Sequence, residues 1–289
     1  MKRMPGVFAL MALAWLAWCP LCRADSPSFT WETRLQGNAL ILLGEVHDNA
    51  DQHRLRLEVL RRALASGWRP AIAMEQFDRE HQKDIDAARG ERPLDADYLI
   101  GKAAGSQGGP GSGWNWTYYR PYVELALRYD LPLLAADLST SDARQVFAQG
   151  YASVFDTATS TSLGLDSIPD ARVRAQQHEV EIGHCHSMPE DQLPAMARAQ
   201  LARDAVMAAI LRDHAGSGIV LLAGNGHVRR DIGVASWLPP DLLSRVFAVG
   251  FIERADIVPP RGAFDATVTT PRAPRADPCV ELRKKLHAR

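Results

Sequence analysis

Short, uninterrupted runs of aliphatic residues recur along the chain, and stretches with helical spacing separate them. The runs cover residues 39–43, 71–74, 131–136, 219–223 and 245–252. Continuous hydrophobicity, as opposed to strict alternation, is typical of strands that are buried on both faces of a parallel sheet. Because strand and helix alternate, the pattern predicts an α/β fold with a mostly parallel sheet flanked by helices.

The stretches between these runs predict two helices most clearly. Residues 50–65 carry apolar side chains at helical spacing, and Asn49 can cap their first turn. A longer helix is predicted over residues 189–214, with a kink at Pro194. The segment before this long helix changes from Ser, Thr and Ala to charged helical spacing. We therefore expect an additional helical subdomain, inserted around residues 150–215.

Two segments fall outside the alternation of strands and helices. Residues 101–113 read GKAAGSQGGPGSG, which is too rich in glycine for a packed element and predicts a mobile loop. The tail over residues 259–277 repeats Pro and Arg, which predicts an irregular course over the surface.

The beginning of the chain has the organisation of an export signal. Lys2 and Arg3 precede an apolar run over residues 7–18, and small side chains that suit cleavage follow. This run is shorter than the roughly 20 residues that span a bilayer. We therefore predict a signal peptide at residues 1–24, a mature domain over residues 25–289, and a periplasmic or secreted location.

Charge and cysteine usage bear on nucleic-acid binding, lipid anchoring and disulfide formation. The chain has 33 basic and 34 acidic side chains, so nothing indicates a nucleic-acid surface. A lipid anchor on Cys19 is disfavoured because the bulky Trp18 precedes it. Cys185 and Cys279 are the cysteines that follow the signal, and export favours a disulfide between them. The alternative is that one or both are thiols near a metal centre.

A glycine followed three positions later by a histidine occurs at two strand ends. The motif reads GEVH at residues 44–47 and GNGH at residues 224–227. Two further strand ends carry Glu75 and Asp137. Because parallel strands deliver their carboxyl ends to one edge of the sheet, where ligands bind, we expect these groups to share one polar site.

Imidazole and carboxylate groups at one edge are compatible with two kinds of chemistry. His47, Glu75 and His227 are candidate ligands of a divalent metal ion such as zinc, manganese or iron. Without a metal, Glu45, His47, Glu75 and His227 are candidate catalytic groups, with His47 as a base oriented by Glu45 or Glu75. For each residue the alternative is a structural role, such as helix capping or an ion pair.

Several motifs together resemble one family. GEVHDN, the MEQF and AADLS strand ends, the W-x-x-Y-x-P segment, GHC, the Q-x-x-R-D helix and GNGHVRRDIGV are similar to the ChaN-like haem-binding uptake proteins of the Tiki superfamily, over about residues 30–285. The resemblance implies an exported protein that binds haem or iron, with membrane-associated uptake machinery as a partner and a homodimer as a candidate assembly. Tiki metalloproteases and erythromycin esterases share related motifs. The alternative function is therefore a metal-dependent hydrolase of peptides or esters.

The chain departs from the family pattern next to one strand end. Asp137 stands where the family often has Asn, and Ser139 and Thr140 stand where it has Pro and Arg. This replaces a neutral amide with a carboxylate and removes one basic side chain, for which Arg144 is a candidate replacement.

The resemblance also directs attention to side chains that can hold a haem. Haem iron accepts His, Met, Cys or Tyr ligands. Tyr118, Tyr119 and Tyr122 follow the glycine-rich loop, and their alternative role is to pack a helix onto the sheet. His184, His186 and Met188 are rival ligands. Arg203 can pair with haem propionates, or it can complete a hydrogen-bond network.

Overall fold

The computed structural model describes residues 29–104, 113–254, 258–277 and 279–280. The predicted signal peptide, residues 1–24, and most of the predicted glycine-rich loop lie outside the described residues. Within the described ranges, no helix combines the length and the apolar character needed to span a membrane.

A six-stranded sheet forms the centre of the fold. Its strands are β1 (Leu40–Leu43), β2 (Ala71–Asp78), β3 (Leu133–Asp137), β4 (Ile219–Leu222), β5 (Val246–Glu253) and β6 (Ala266–Thr270). Their order across the sheet is β3-β2-β4-β1-β5-β6, and each neighbouring pair is parallel. The predicted α/β fold with a parallel sheet is therefore confirmed, and all strands end at one edge.

Helices cover both faces of this sheet. They are α1 (Ala50–Ala65), α2 (Gln82–Glu91), α3 (Ala96–Ala103), α4 (Trp116–Arg128), α5 (Thr140–Gln149), α6 (Thr157–Leu163), α7 (Asp170–Gly183), α8 (Leu193–Asp213), α9 (Asn225–Val228) and α10 (Pro240–Leu243). Ile41 and Leu43 of β1 pack on the side of α1 to α4, whereas Leu40 and Leu42 pack on the side of α8. Burial on both faces explains the continuous aliphatic runs.

The two predicted helices form with one change. In α1, the side chain of Asn49 accepts a hydrogen bond from the backbone N–H of Gln52 at 3.1 Å, as the capping pattern predicts. The long helix α8 begins at Leu193, so Pro194 lies in its first turn. A proline there removes an N–H that has no helical partner, and the predicted kink is wrong.

Two segments that were predicted to be irregular contain regular structure. Gly101 lies within α3, because apolar side chains of this helix, such as Leu99 and Ile100, pack into the core. In the tail, β6 pairs with β5 at the edge of the sheet. The strand was missed because it is short, and because threonines fill most of its length.

Candidate functional site

The two glycine–histidine motifs pack against each other after the neighbouring strands β1 and β4. A β-carbon on Gly44 would lie 2.2 Å from Oδ1 of Asn225, and one on Gly224 would lie 3.0 Å from Cε1 of His47. The backbone N–H of Asn225 also donates to the carbonyl of Glu45 at 3.0 Å. The glycine of each motif therefore lets a polar side chain of the other approach the backbone closely.

Glu45 is the centre of a buried network that we call the Glu45 cluster. Its carboxylate accepts hydrogen bonds from Nδ1 of His47 at 2.9 Å and from the hydroxyl of Tyr119 at 2.6 Å. It also forms an ion pair with the guanidinium of Arg56 and lies 3.4 Å from Nδ1 of His53. Glu45 and Arg56 are fully buried, so each charge depends on the other for stabilisation.

The Glu45 cluster determines how His47 faces the site. A carboxylate accepts hydrogen bonds, so Nδ1 of His47 carries the proton and Nε2 keeps its lone pair in the neutral ring. The side chain of His47 is 46% exposed. Its Nε2 and Oε2 of Glu75 lie 3.1 and 3.7 Å from the position that a β-carbon on Gly224 would occupy. The side chains of His47 and Glu75 are therefore neighbours beside Gly224.

A second network, the His227 cluster, consists of Glu75, Asp137, Arg203, Asp204 and His227. Nδ1 of His227 donates to Oδ1 of Asp204 at 2.7 Å, and Nε2 lies 3.6 Å from Oε1 of Glu75. Arg203 forms an ion pair with Asp137, whose other carboxylate oxygen is buried and has no hydrogen-bond partner among the described residues. Three carboxylates and two basic groups therefore meet at the ends of β2, β3 and β4.

Burial and neighbouring charge shift the pKa values in this network. Burial lowers the pKa of His227, but the carboxylates of Asp204 and Glu75 outweigh it and raise the value to about 9. Burial also raises the pKa of Asp137 to about 7, despite the opposing charge of Arg203. The pKa of Glu75 is lowered, because the two neighbouring histidines outweigh its burial. His227 is consequently protonated at neutral pH.

The two clusters line one cavity of about 530 Å³. One face of α7 forms a wall, since Gln176, Glu179, Val180 and Gly183 follow helical spacing and all line the cavity. His184, just beyond α7, continues this wall. An aromatic side chain also contributes: the ring of Trp114 lies 4.8 Å from that of His47, at an interplanar angle of 85°.

Six of the predicted site residues reach this cavity. The structure brings together Glu45, His47, Glu75, His184, Arg203 and His227. They come from three strands, β1, β2 and β4, from the end of α7 and from the middle of α8, so the sequence prediction of one shared polar site corresponds to a single space in the fold.

The three predicted tyrosines lie elsewhere and are not among the described residues that line the cavity. The hydroxyl of Tyr119 donates to Glu45, and that of Tyr122 donates to the carbonyl of His53 at 2.9 Å. Tyr118 stacks on the ring of His53, with ring centroids 4.6 Å apart. All three pack α4 against α1, which is the structural role that the sequence left open for them.

The predicted metal-ligand set is not assembled as a metal centre. Among the described residues, no group of three His, Cys, Asp or Glu side chains is placed to hold a metal ion. Within the predicted set of His47, Glu75 and His227, Nδ1 of His227 is hydrogen-bonded to Asp204. Glu75 is already engaged, since it accepts a hydrogen bond from the N–H of Gly224 at 2.7 Å.

Three buried residues of the two clusters were missed or left undecided by sequence reasoning. His53 and Arg56 lie on α1, and Arg56 shares a helix face with the buried Val59 and Leu60 at i+3 and i+4 spacing. A charged residue on an apolar face was the available signal. Asp204 entered the sequence analysis only as part of the Q-x-x-R-D motif, and it accepts the hydrogen bond from His227.

The predicted disulfide between Cys185 and Cys279 is present, with 5.5 Å between the two Cα atoms. This distance is within the usual range for a disulfide. The alternative of free thiols near a metal centre is therefore wrong for this structure.

A parallel sheet with a polar cavity at its carboxyl edge defines a ligand-binding protein of the open α/β class. A family model described as haem-binding uptake, Tiki superfamily, ChaN matches residues 31–238, and the chain belongs to this family. None of the curated proteins matches the chain significantly.

Solved structures share the fold at low sequence identity. ChaN of Campylobacter jejuni, in a structure that describes cofacial haem binding, is 19% identical, with a TM-score of 0.59 over 78% of this chain and 84% of that chain. A variant of the erythromycin esterase EreC in its open conformation is 14% identical, with a TM-score of 0.43 over 75% of this chain and 70% of that chain. At such identities the likeness to ChaN shows the fold alone, and the second likeness carries no argument.

Proposed function

We propose that the mature chain, residues 25–289, binds haem in the cavity between the Glu45 cluster and the His227 cluster, and that it acts in haem or iron uptake. Membership of the haem-binding uptake family supports the choice of ligand. The cavity volume of about 530 Å³ supports the place, since small-molecule sites usually measure roughly 300–1,000 Å³.

The observation that carries this proposal is the pair of imidazoles in the cavity. His47 and His184 each have Nδ1 engaged by an oxygen acceptor, Glu45 and the carbonyl of Val180, which leaves Nε2 available. Histidines that bind metals usually have this arrangement, and haem iron accepts imidazole nitrogen. Trp114 and Val180 add apolar surface to the same wall. The two imidazoles suit a ligand with a metal at its centre.

We further propose that the protein works in the periplasm or after secretion. The predicted signal peptide supports export, and the disulfide between Cys185 and Cys279 is typical of an oxidising compartment. Uptake would then require machinery at the membrane as a partner. A homodimer is the assembly that light scattering of the mature chain should test.

A haemin titration of the mature chain, followed by the Soret absorption, tests the proposal. We expect a saturable spectral shift with a stoichiometry of about one haem per chain. Gly226→Trp should block it, because Gly226 lines the cavity and has open space where a side chain would extend. Gly90→Trp is the matched control, since Gly90 also has open space but lies on α2, away from the cavity.

The alternative is a hydrolase that acts on a peptide or an ester. One observation favours it: the protonated His227 and the imidazole of His47 lie in one cavity beside Glu75, so an acid and a base are available together. No haemin response, combined with turnover that chelators abolish, would favour the metal-dependent form of this alternative. Turnover that resists chelators would favour acid–base hydrolysis by the residues themselves.

A further inference from the structure

Carboxylates outnumber cationic groups along the cavity that the Glu45 cluster and the His227 cluster line. The acidic residues that line it are Glu45, Glu75, Asp78, Asp137, Glu179 and Asp204. The cationic groups that form ion pairs with them are Arg56, Arg203, Arg229 and His227. The carboxylate of Asp78 has no ion-pair or hydrogen-bond partner within the described part of the chain. The cavity therefore offers a ligand more negative than positive charge.

One carboxylate oxygen of this set is buried without a hydrogen bond. Oδ2 of Asp137 pairs with Arg203, whereas Oδ1 has no partner among the described residues. An ionised carboxylate only accepts hydrogen bonds, so Oδ1 requires a donor. Burial raises the pKa of Asp137 to about 7 despite the charge of Arg203, so the surrounding cations do not fully compensate this carboxylate. A donor with a positive charge would provide both the hydrogen bond and the compensation.

A second buried acceptor lies on the wall that α7 forms. Oε1 of Gln176 has no hydrogen-bond partner within the described ranges, and the residue is only 6% exposed. Gln176 shares a helix face with Glu179, Val180 and Gly183, which all line the cavity, so its side chain extends towards the same space. A buried acceptor without a donor is unfavourable. A ligand that donates hydrogen bonds would remove this cost.

The size and the walls of the cavity suit an organic cation. Its volume of about 530 Å³ is that of a small-molecule site. The acidic side chains come from several strand ends and from α7 and α8, so they can contact a molecule at more than one point. Trp114 also lines the cavity, and aromatic faces attract cations.

We propose that this cavity binds an organic cation with N–H donors, which are accepted by Oδ1 of Asp137 and Oε1 of Gln176. The inference goes beyond the proposed function, because it specifies a second class of ligand for the cavity and does not require haem to bind. Haem and an organic cation would exclude each other, since both would occupy the same space.

Isothermal titration calorimetry of the mature chain tests the inference at about pH 8, where Asp137 is largely ionised and His227 is protonated. The probes are cadaverine, which carries two ammonium groups, and pentamethonium, in which methyl groups replace every N–H at the same charge and spacing. Cadaverine should bind about tenfold more tightly or better, because only cadaverine can donate to the two acceptors. Equal affinities, or no binding of either cation, would overturn the inference.

Two variants locate the binding. Gln176→Met removes the amide acceptor at similar volume, and it should weaken cadaverine binding about tenfold while leaving pentamethonium unaffected. Gln177→Met is the matched control, because Gln177 is the next residue of α7 and is not among the described residues that line the cavity. Asp137→Asn removes the negative charge and should weaken both cations. If Asp137→Asn does not fold, Gln176→Met decides, and an equal effect of the two glutamine changes would contradict the proposal.

Competition with haemin separates this inference from the proposed function. If haem occupies the cavity, haemin should weaken the binding of cadaverine. Cadaverine binding that depends on Gln176 but is unchanged by haemin would support the inference and place haem elsewhere. Haemin binding by a protein that does not bind cadaverine would overturn the inference and leave the proposed function standing.

Discussion

The Glu45 cluster and the His227 cluster each contain a buried histidine. At neutral pH His53 is uncharged, whereas His227 is protonated. His53 lies 3.4 Å from the carboxylate of Glu45, but burial dominates and lowers the pKa of His53 to about 4. His227 lies between Asp204 and Glu75, and these carboxylates raise its pKa to about 9. The charge of a buried histidine here depends on whether neighbouring carboxylates outweigh the effect of burial on its pKa.

This difference separates two roles at one cavity. The Glu45 cluster balances one carboxylate with one guanidinium, and it orients the ring of His47 through a hydrogen bond. The His227 cluster instead places several charged side chains along the cavity. The Glu45 cluster therefore positions a side chain of the site, and the His227 cluster provides the charges that a bound ligand would meet.

The largest expected effect comes from breaking the ion pair of the Glu45 cluster. Arg56→Ala would leave the carboxylate of Glu45 buried without its cation, which typically costs about 3–5 kcal/mol of unfolding free energy. Urea unfolding measures the change. Arg54→Ala on the same helix is the control, because the side chain of Arg54 is exposed, and it should cost no more than about 0.5 kcal/mol. Equal effects of the two changes would contradict the comparison.

Acid should destabilise the protein through His53. The folded pKa of about 4 lies below the unfolded value of 6.5, so the unfolded chain binds more protons between these values and stability falls as pH falls. A shift of this size corresponds to about 3 kcal/mol by pH 4. His53→Gln should lack this contribution in urea unfolding between pH 7 and pH 4, whereas the exposed His178→Gln should follow the wild type. An identical acid response of His53→Gln would contradict the assignment.

His227 should give the opposite pH dependence. Its folded pKa of about 9 lies above the unfolded value of 6.5, so its stabilising contribution is complete below pH 6.5 and is lost as pH rises through 9. We expect up to about 3 kcal/mol between pH 6.5 and pH 9.5 in the wild type, and little of this slope in His227→Gln. A wild-type protein that gains stability over this range would show that the ring is neutral.

The smallest expected effect concerns one hydrogen bond of the Glu45 cluster. Tyr119→Phe removes the hydroxyl that donates to Glu45, and a bond to a charged group contributes about 1.5–3 kcal/mol. Tyr118→Phe is the matched control, because within the described part of the chain its hydroxyl makes no hydrogen bond, and the change should be close to neutral. Unfolding by urea should separate the two variants. A loss of haemin affinity in Tyr118→Phe would instead support a tyrosine ligand.

The comparison also shows which features could be predicted from the sequence. The continuous aliphatic runs predict a sheet with helices on both faces, and parallel strand ends bring Glu45, Glu75 and His227 to one edge. These inferences depend only on local pattern and on the geometry of parallel sheets. They are sufficient to locate the site.

The partners within each cluster could not be predicted in the same way. Arg56 and His53 resemble surface residues of a helix until its buried face is known, and the contact between Asp204 and His227 joins α8 to the end of β4. The charge state of His227 depends on those distances. These features depend on tertiary packing, which cannot be inferred from the periodicity of a single sequence.

The most direct test of the proposed haem site is an anomalous difference map, measured at the iron absorption edge on crystals of the mature chain grown with haemin. The proposal predicts one iron peak inside the cavity that the Glu45 cluster and the His227 cluster line. An iron peak outside this cavity, beside the tyrosines of α4 or on the protein surface, would contradict it.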